Sequence, residues 1–117
     1  MKDDAVYEQT QNLVQELRRG VIVLAVLSQL KHEQYGYSLM KSLEDQGLQV
    51  DQGTLYPLLR RLEEQGLLGS DWRVETSRPR RYYILSQFGS EVLENMISEW
   101  NRIKTTMDKL LSEEKEI

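Results

Sequence analysis

Cysteine is absent from the 117 residues, which excludes a disulfide framework, a thiolate metal site and a cysteine nucleophile. Histidine is nearly absent too. His32 is the sole example, it lies in the polar stretch 31–34, and only Glu33 stands beside it as a second ligand, so an exposed side chain and no metal site are expected. Neither a glycine-rich phosphate loop nor a metal-ligand spacing occurs. Without these parts the chain is not expected to be an enzyme, and neither catalytic residues nor a cofactor are expected. No apolar run approaches the roughly 18 residues that a membrane span needs, so no membrane partner is expected. Residues 1–4 carry Asp3 and Asp4 and no apolar core, unlike a signal peptide, and a cytoplasmic protein is the simplest expectation.

Internal repeats, low-complexity tracts and Pro/Gly-rich linkers are also missing, and the length fits one domain spanning 1–117. Hydrophobic residues make up 39% and charged residues 29%, an ordinary balance for a globular chain. The net charge of −4 argues at first against a nucleic-acid partner, since such domains are usually basic. Salt, however, screens charges beyond about 8–10 Å, so what a phosphate meets is local. Between Trp72 and Tyr82 lie Arg73, Arg78, Arg80 and Arg81 against the single acid Glu75, while acids collect at the ends in Asp3, Asp4, Glu113, Glu114 and Glu116.

Apolar periodicity then sets out the elements. Leu13, Leu17, Val21, Leu24 and Leu27 recur at helical spacing, and every residue from 21 to 27 is apolar. A helix apolar all round must be covered on more than one side. Gly20 costs roughly 1 kcal/mol in a helix interior, yet one helix crossing it is the expectation. A second helix fits 37–46, with Leu39, Met40 and Leu43 inward and Gly47 as its stop. A third fits 52–65, capped by Asp51 and closed by Gly66, with Leu55, Leu58, Leu59 and Leu62 in one stripe. Strands follow at 67–74 and 80–85, joined through 75–79, where Trp72, Val74, Tyr82, Tyr83 and Ile84 supply β-favouring bulk. Ser86 is placed to cap a last helix reaching about 111. Three helices and then a hairpin spell a winged helix-turn-helix: mainly α, with a small β-hairpin, over about 8–85, followed by a C-terminal helix over 86–113.

That last helix has a heptad seam. Leu93, Met96, Trp100, Ile103, Met107 and Leu110 alternate steps of three and four, and at 1.5 Å per residue the helix spans about 37 Å, more than a compact chain of this size needs. The seam and the all-round apolar first helix favour a homodimer.

Several motifs in order carry a resemblance. Tyr35-Gly36-Tyr37, the run Gly53-Thr54-Leu55-Tyr56-Pro57-Leu58-Leu59-Arg60-Arg61-Leu62-Glu63, then Gly66-Leu67, Arg80-Arg81-Tyr82-Tyr83 and Gly89 resemble the successive signatures of PadR-type regulators, over about 18–103. The single-domain length and heptad helix look most like the short members, including LmrR-type multidrug-sensing repressors. The resemblance implies a dimeric, sequence-specific DNA-binding transcriptional regulator that represses and lets go when a small molecule binds, with activation as the alternative sign of regulation; the two-fold symmetry of such a dimer implies a pseudo-palindromic double-stranded operator.

The same residues support a DNA contact on chemical grounds. The third helix would enter the major groove with its N-terminal residues towards base edges. Gln52 is suited to a bidentate bond with adenine, and Thr54 and Tyr56 to bases or phosphates. Arg78, Arg80 and Arg81 sit around the hairpin turn within reach of the DNA backbone, although alternation sends Arg80 and Arg81 to opposite faces. Tyr37 and Lys41 on the second helix are placed for phosphates, as is Arg60, whereas Arg61 is expected to pair with acids such as Glu64. Tyr56 has packing as its competing role. By the resemblance, Trp100 stacks a planar aromatic effector at the dimer centre, with Leu17, Val21, Leu24, Ala25 and Ile97 as neighbours and Lys104 at the edge. The competing role for Trp100 is simple interface filling. The competing function for the whole chain is a winged-helix protein-interaction module without specific DNA binding, which the net negative charge would suit.

Overall fold

In the computed structural model, which describes residues 2–75 and 77–112, α1 (Lys2–Gln29) runs through Gly20 without a break. The single helix expected across that glycine is what forms, but it starts earlier than the apolar pattern implied. Asp3 and Asp4 occupy its first turn, where carboxylates complement the positive end of the helix dipole. Two residues, Gln34–Tyr35, then form β1, an element too short to have a period in the sequence. They pair antiparallel with Tyr83 and Tyr82. Next come α2 (Gly36–Asp45) and α3 (Gln52–Glu64), β2 (Leu68–Glu75), β3 (Arg78–Leu85) and α4 (Gln87–Leu111). The strands make one antiparallel sheet in the order β1-β3-β2.

The helix ends follow from local chemistry. Asp51 accepts a hydrogen bond from the Thr54 amide at 2.8 Å, and Ser86 accepts one from the Gly89 amide at 2.9 Å; each satisfies an orphan donor of a first turn. The C-termini of α2 and α3 close alike. Gly47 and Gly66 take φ of 100° and 81°, and the amides of Leu48 and Leu67 return to the carbonyls of Leu43 and Leu62, each at 2.9 Å. Those bonds, with Gly47 to Glu44 and Gly66 to Glu63, are the paired closures of a Schellman motif.

The hairpin is tighter than expected. The strands extend to Glu75 and resume at Arg78, so Arg78 and Pro79 belong to β3 rather than to the connection, and of that connection Thr76 lies outside the described residues. β1 reaches only Tyr82 and Tyr83, which leaves β3 with one neighbour at Pro79, an edge position where proline is tolerated. The C-terminal end of the helix expected over 86–113 also falls partly outside the described residues, with the acids Glu113, Glu114 and Glu116.

The core joins the four helices and the two long strands. Val26 and Leu27 of α1 and Leu30 just beyond it meet Leu39 and Leu43 of α2, the α3 stripe Leu55, Leu58, Leu59 and Leu62, then Leu68, Tyr83 and Leu93. Leu93 corrects one expectation: at 2% exposure it is buried in its own domain and is not a free position of the seam, and Met96 packs partly against the same core. Beyond them Ile97, Trp100, Ile103, Met107 and Leu110 of α4 are exposed, as are Val6, Tyr7, Leu13 and Leu17 of α1. The radius of gyration is 17.6 Å, against about 13 Å for a compact chain near this length, so the molecule is drawn out with apolar side chains uncovered.

Gly89 lies where α4 crosses the start of the sheet. A Cβ there would fall 2.0 Å from the Leu67 carbonyl oxygen, whereas one at Gly20 would meet nothing within 4 Å. Gly89→Ala should therefore cost about 1–3 kcal/mol as backbone is forced apart, while Gly20→Ala should gain up to about 1 kcal/mol from helix propensity. Urea denaturation of the two variants checks both magnitude and sign.

Candidate nucleic-acid interface

Burial of one leucine stripe decides what α3 presents elsewhere. Residues on a helix advance by about 100° each, so with Leu55, Leu58, Leu59 and Leu62 inward, Gly53, Pro57, Arg60 and Glu64 face out. Gln52, Tyr56 and Glu63 form one flank, turned to the hairpin; Thr54 and Arg61 form the other, turned to α1. Gln52 and Thr54 are thus not neighbours on one reading surface but lie on opposite sides of it.

On the hairpin flank a groove of about 1050 Å³ opens between α3, the start of α2 and the wing. Gln52, Tyr56 and Arg60 line one wall, Tyr37 the end, and Trp72, Arg78, Arg80 and Arg81 the other. Tyr56 is half-buried and packs against the core. It is the reason position 36 is glycine, since a Cβ there would sit 2.4 Å from the Tyr56 ring. Tyr56 therefore packs, as its competing role had it, and still presents part of its ring to the groove.

Strand register sorts the wing's arginines. Trp72 pairs with Arg81 and Ser70 with Tyr83, putting these on the face towards α3, while Arg73 pairs with Arg80 and Asp71 with Tyr82 on the outer face. Arg81 is held: its guanidinium lies 3.0 Å from Glu63 and its Nε donates to Ser70 at 3.0 Å, while the Ser70 hydroxyl donates to Glu63 at 2.6 Å. Alternation does send Arg80 and Arg81 to opposite faces, and Arg81 is already engaged within the protein. Its charge is matched by Glu63, and its work here is to tie the wing to the end of α3. On the outer face Arg73 is engaged by Glu33 and, at 3.5 Å, Asp71, and lies 4.5 Å over the Tyr82 ring. Hydrogen bonding to Glu33 raises the Arg73 pKa further. Arg80 stacks 4.5 Å over Tyr35 and is 4.0 Å from Glu75. Tyr82 donates to Glu75, which lifts its phenol above the usual range; burial does the same for Tyr83.

Arg60 and Arg78 have no acid partner among the described residues. Neither does Arg61, so the expected pairing with Glu64 does not form. Arg61 instead borders a notch of about 560 Å³ with Thr54 of α3 and Arg19 of α1. Arg19 escaped the sequence reading, although the Arg18-Arg19 pair interrupting an otherwise acidic stretch was a signal. Lys41 stands outside the wing groove, on a shallow depression of α2 with Tyr37 and Ser38, 3.6 Å from Glu44. His32 is exposed, and no group of three candidate metal ligands occurs among the described residues. No described helix is long and apolar enough to cross a membrane. The residues grouped around Trp100 lie on an open face: Trp100 is 39% and Leu17 73% exposed, Val21, Leu24 and Ala25 are half-buried, and Lys104 is exposed.

A helix pair followed by a two-stranded wing, with cations bordering the cleft between them, defines a winged helix-turn-helix protein. The profile of the PadR-like family of transcriptional regulators matches residues 23–95. A transcriptional regulator of Mycobacterium tuberculosis, Rv3488, is 38% identical over 81 residues, 68% of this chain and 76% of that one. Among solved structures, a PadR family transcriptional regulator from Eggerthella lenta is 45% identical with a TM-score of 0.86, covering 93% of this chain and 97% of its own. A PadR-like regulator from Bacillus cereus is 30% identical with a TM-score of 0.76, covering 85% and 99%. The chain belongs to the PadR-like family: it is a DNA-binding transcriptional regulator, not an enzyme.

The pairing pattern separates arginines free for phosphate from those already engaged. Arg60→Ala and Arg78→Ala should each reduce the slope of log affinity against log salt by about 0.9, the value of one phosphate contact on duplex DNA. Arg73→Ala, removing a cation bound to Glu33 and Asp71, should leave the slope unchanged. Anisotropy titrations of a labelled duplex across a salt series measure all three.

Proposed function

We propose that the chain is a homodimeric repressor that reads a pseudo-palindromic operator in the cytoplasm and is released by a planar aromatic effector. One observation carries the DNA geometry: the outward flank of α3 and the wing face each other across a groove bordered by Arg60, Arg78 and Arg80. With α3 in the major groove and the wing over the adjacent minor groove, the phosphate strand dividing the two grooves enters this cleft. Gln52 then lies on the wing flank of the reading helix, and Thr54, Arg61 and Arg19 face the strand on the opposite side. Tyr37 stands at the cleft's end and Lys41 beyond it. Arg81 serves by holding the wing. The net charge of −4 is compatible, because Glu63, Glu33 and Asp71 are engaged by wing arginines, which leaves Glu64 as the acid that faces the groove beside Arg60.

Dimerisation is supported by the uncovered apolar side chains of α1 and α4. Trp100, Ile103, Met107 and Leu110 continue the seam after Leu93 and Met96 turn into the protomer's own core, and Ile97 is exposed beside it. Covering them with a second copy would enclose Trp100, Leu17 and Val21, with Lys104 at the margin. Flat rings gain there from stacking on indole. Such a ligand weakens operator binding only by as much as it prefers the released arrangement of the two reading heads. The rival reading, a protein-interaction module, predicts no steep salt dependence on random duplex.

Light scattering should give about twice 13.8 kDa; a monomer at micromolar concentration contradicts the dimer. Gln52→Ala should weaken operator binding by about 1–3 kcal/mol with less effect on random duplex. With Trp72→Phe as background, planar dyes should quench the remaining indole saturably and Trp100→Ala should abolish their binding. The absence of saturable quenching across a broad panel would leave Trp100 as interface filling.

A further inference from the structure

The wing's inner face carries an exposed indole that neither the core nor the cationic rim explains. Trp72 is 62% exposed and lines the groove opposite Gln52 and Arg60. Its ring is braced from behind by Arg81, whose guanidinium lies 5.4 Å from the ring centroid and is itself fixed by Glu63 and Ser70. Val74 pairs with Pro79 of the neighbouring strand on this same face of the sheet, and Val74 is 74% exposed. The inner face therefore presents an apolar strip, Trp72, Val74 and Pro79, while Arg78, which has no acid partner among the described residues, falls on the other face of the hairpin.

A DNA strand lying in this cleft offers two chemistries in alternation: charged phosphates and the apolar faces of deoxyribose. Phosphates suit Arg60 and Arg78. Nothing charged suits the sugars, and a neutral apolar wall does. We propose that Trp72, extended by Val74 and Pro79, is a sugar-packing contact that supplies duplex affinity independent of sequence and of salt. This rests on the DNA-binding reading above. The occupant follows from the cleft's chemistry, since the same groove that exposes the indole is bordered by Arg60 and Arg78, which have no acid partner among the described residues. Because Arg81 and its partners already hold the ring, little side-chain freedom is lost when the contact forms.

Salt dependence distinguishes this contact from a phosphate contact. An arginine on a phosphate releases counterions and changes the salt slope; an indole on a sugar releases none. Removing on the order of 50 Å² of apolar indole surface from the contact corresponds to about a tenfold change in affinity. The experiment titrates a labelled random-sequence duplex with wild type, Trp72→Ala and Trp72→Phe in full-length protein over a salt series, with urea denaturation of each. Trp72→Ala should lose about tenfold in affinity at every salt concentration with an unchanged slope, and Trp72→Phe should recover most of it. Folding should be little affected, since the side chain is exposed. Unchanged affinity in Trp72→Ala would overturn the proposal, as would a lower slope, which would mean that the indole acts through the arginines. A change in mass by light scattering would also overturn it by placing a second copy on this face. If wild type itself fails to bind duplex at low salt, the DNA reading falls first. Duplex binding that persists without any contribution from Trp72 removes this inference alone.

Discussion

Burial of the α3 leucine stripe against the end of α1 and against α2 is the constraint on which the rest depends. Leu55, Leu58, Leu59 and Leu62 are all buried, facing Val26, Leu27, Leu30, Leu39 and Leu43. A fully buried leucine contributes about 1.5–3 kcal/mol, so rotating α3 by even one residue would forfeit an amount comparable to a domain's whole marginal stability. The helix is thereby fixed in rotation, and Asp51 at one end and Gly66 at the other fix it in register. Which side chains face outward is then no longer free. Arg60 and Pro57 face outward because the leucines face inward.

The wing's position is set by a different kind of force. Glu63, on the flank of α3, receives both Arg81 and Ser70, so a part-buried polar cluster spans the gap between helix and hairpin. These charge-assisted hydrogen bonds are directional and define an angle where apolar packing alone defines only proximity. The same cluster matches the charge of an acid at the edge of the groove, where an unpaired carboxylate would repel phosphate. Net charge is a poor guide for such a molecule, because ion pairing decides which cations remain available.

Much of this was legible in the sequence, for physical reasons that also explain the exceptions. Helices with a buried stripe repeat their leucines, and helix ends need caps, so Asp51, Ser86, Gly47 and Gly66 marked α2, α3 and α4 closely. β1 could not be read, because two residues have no period and form a strand only by pairing with Tyr82 and Tyr83. The polar beginning of α1 carries no apolar signal, and helix propensity and its acidic first turn extend it to Lys2. Leu93 fits the heptad as well as Ile103 does; only tertiary packing shows that it faces its own core. The arginines were legible as a cluster but not as individuals. Arg81 and Arg73 differ from Arg78 through partners distant in sequence, Glu63 and Glu33, which periodicity cannot supply. Arg19 and Thr54 come together only because α1 passes beside α3.

In the proposed complex α3 occupies a major groove while the wing straddles the adjoining strand, twice, in two symmetry-related copies. Footprinting of a duplex selected from a random library by repeated binding tests it most directly, with dimethyl sulfate reporting on the major groove and hydroxyl radicals on the backbone. The expected pattern is guanine protection in the major groove, flanked by backbone protection across the neighbouring minor groove, in two blocks separated by about 34 Å or a multiple of it. Protection of a single unrepeated block, or backbone protection with guanines fully reactive, would contradict it.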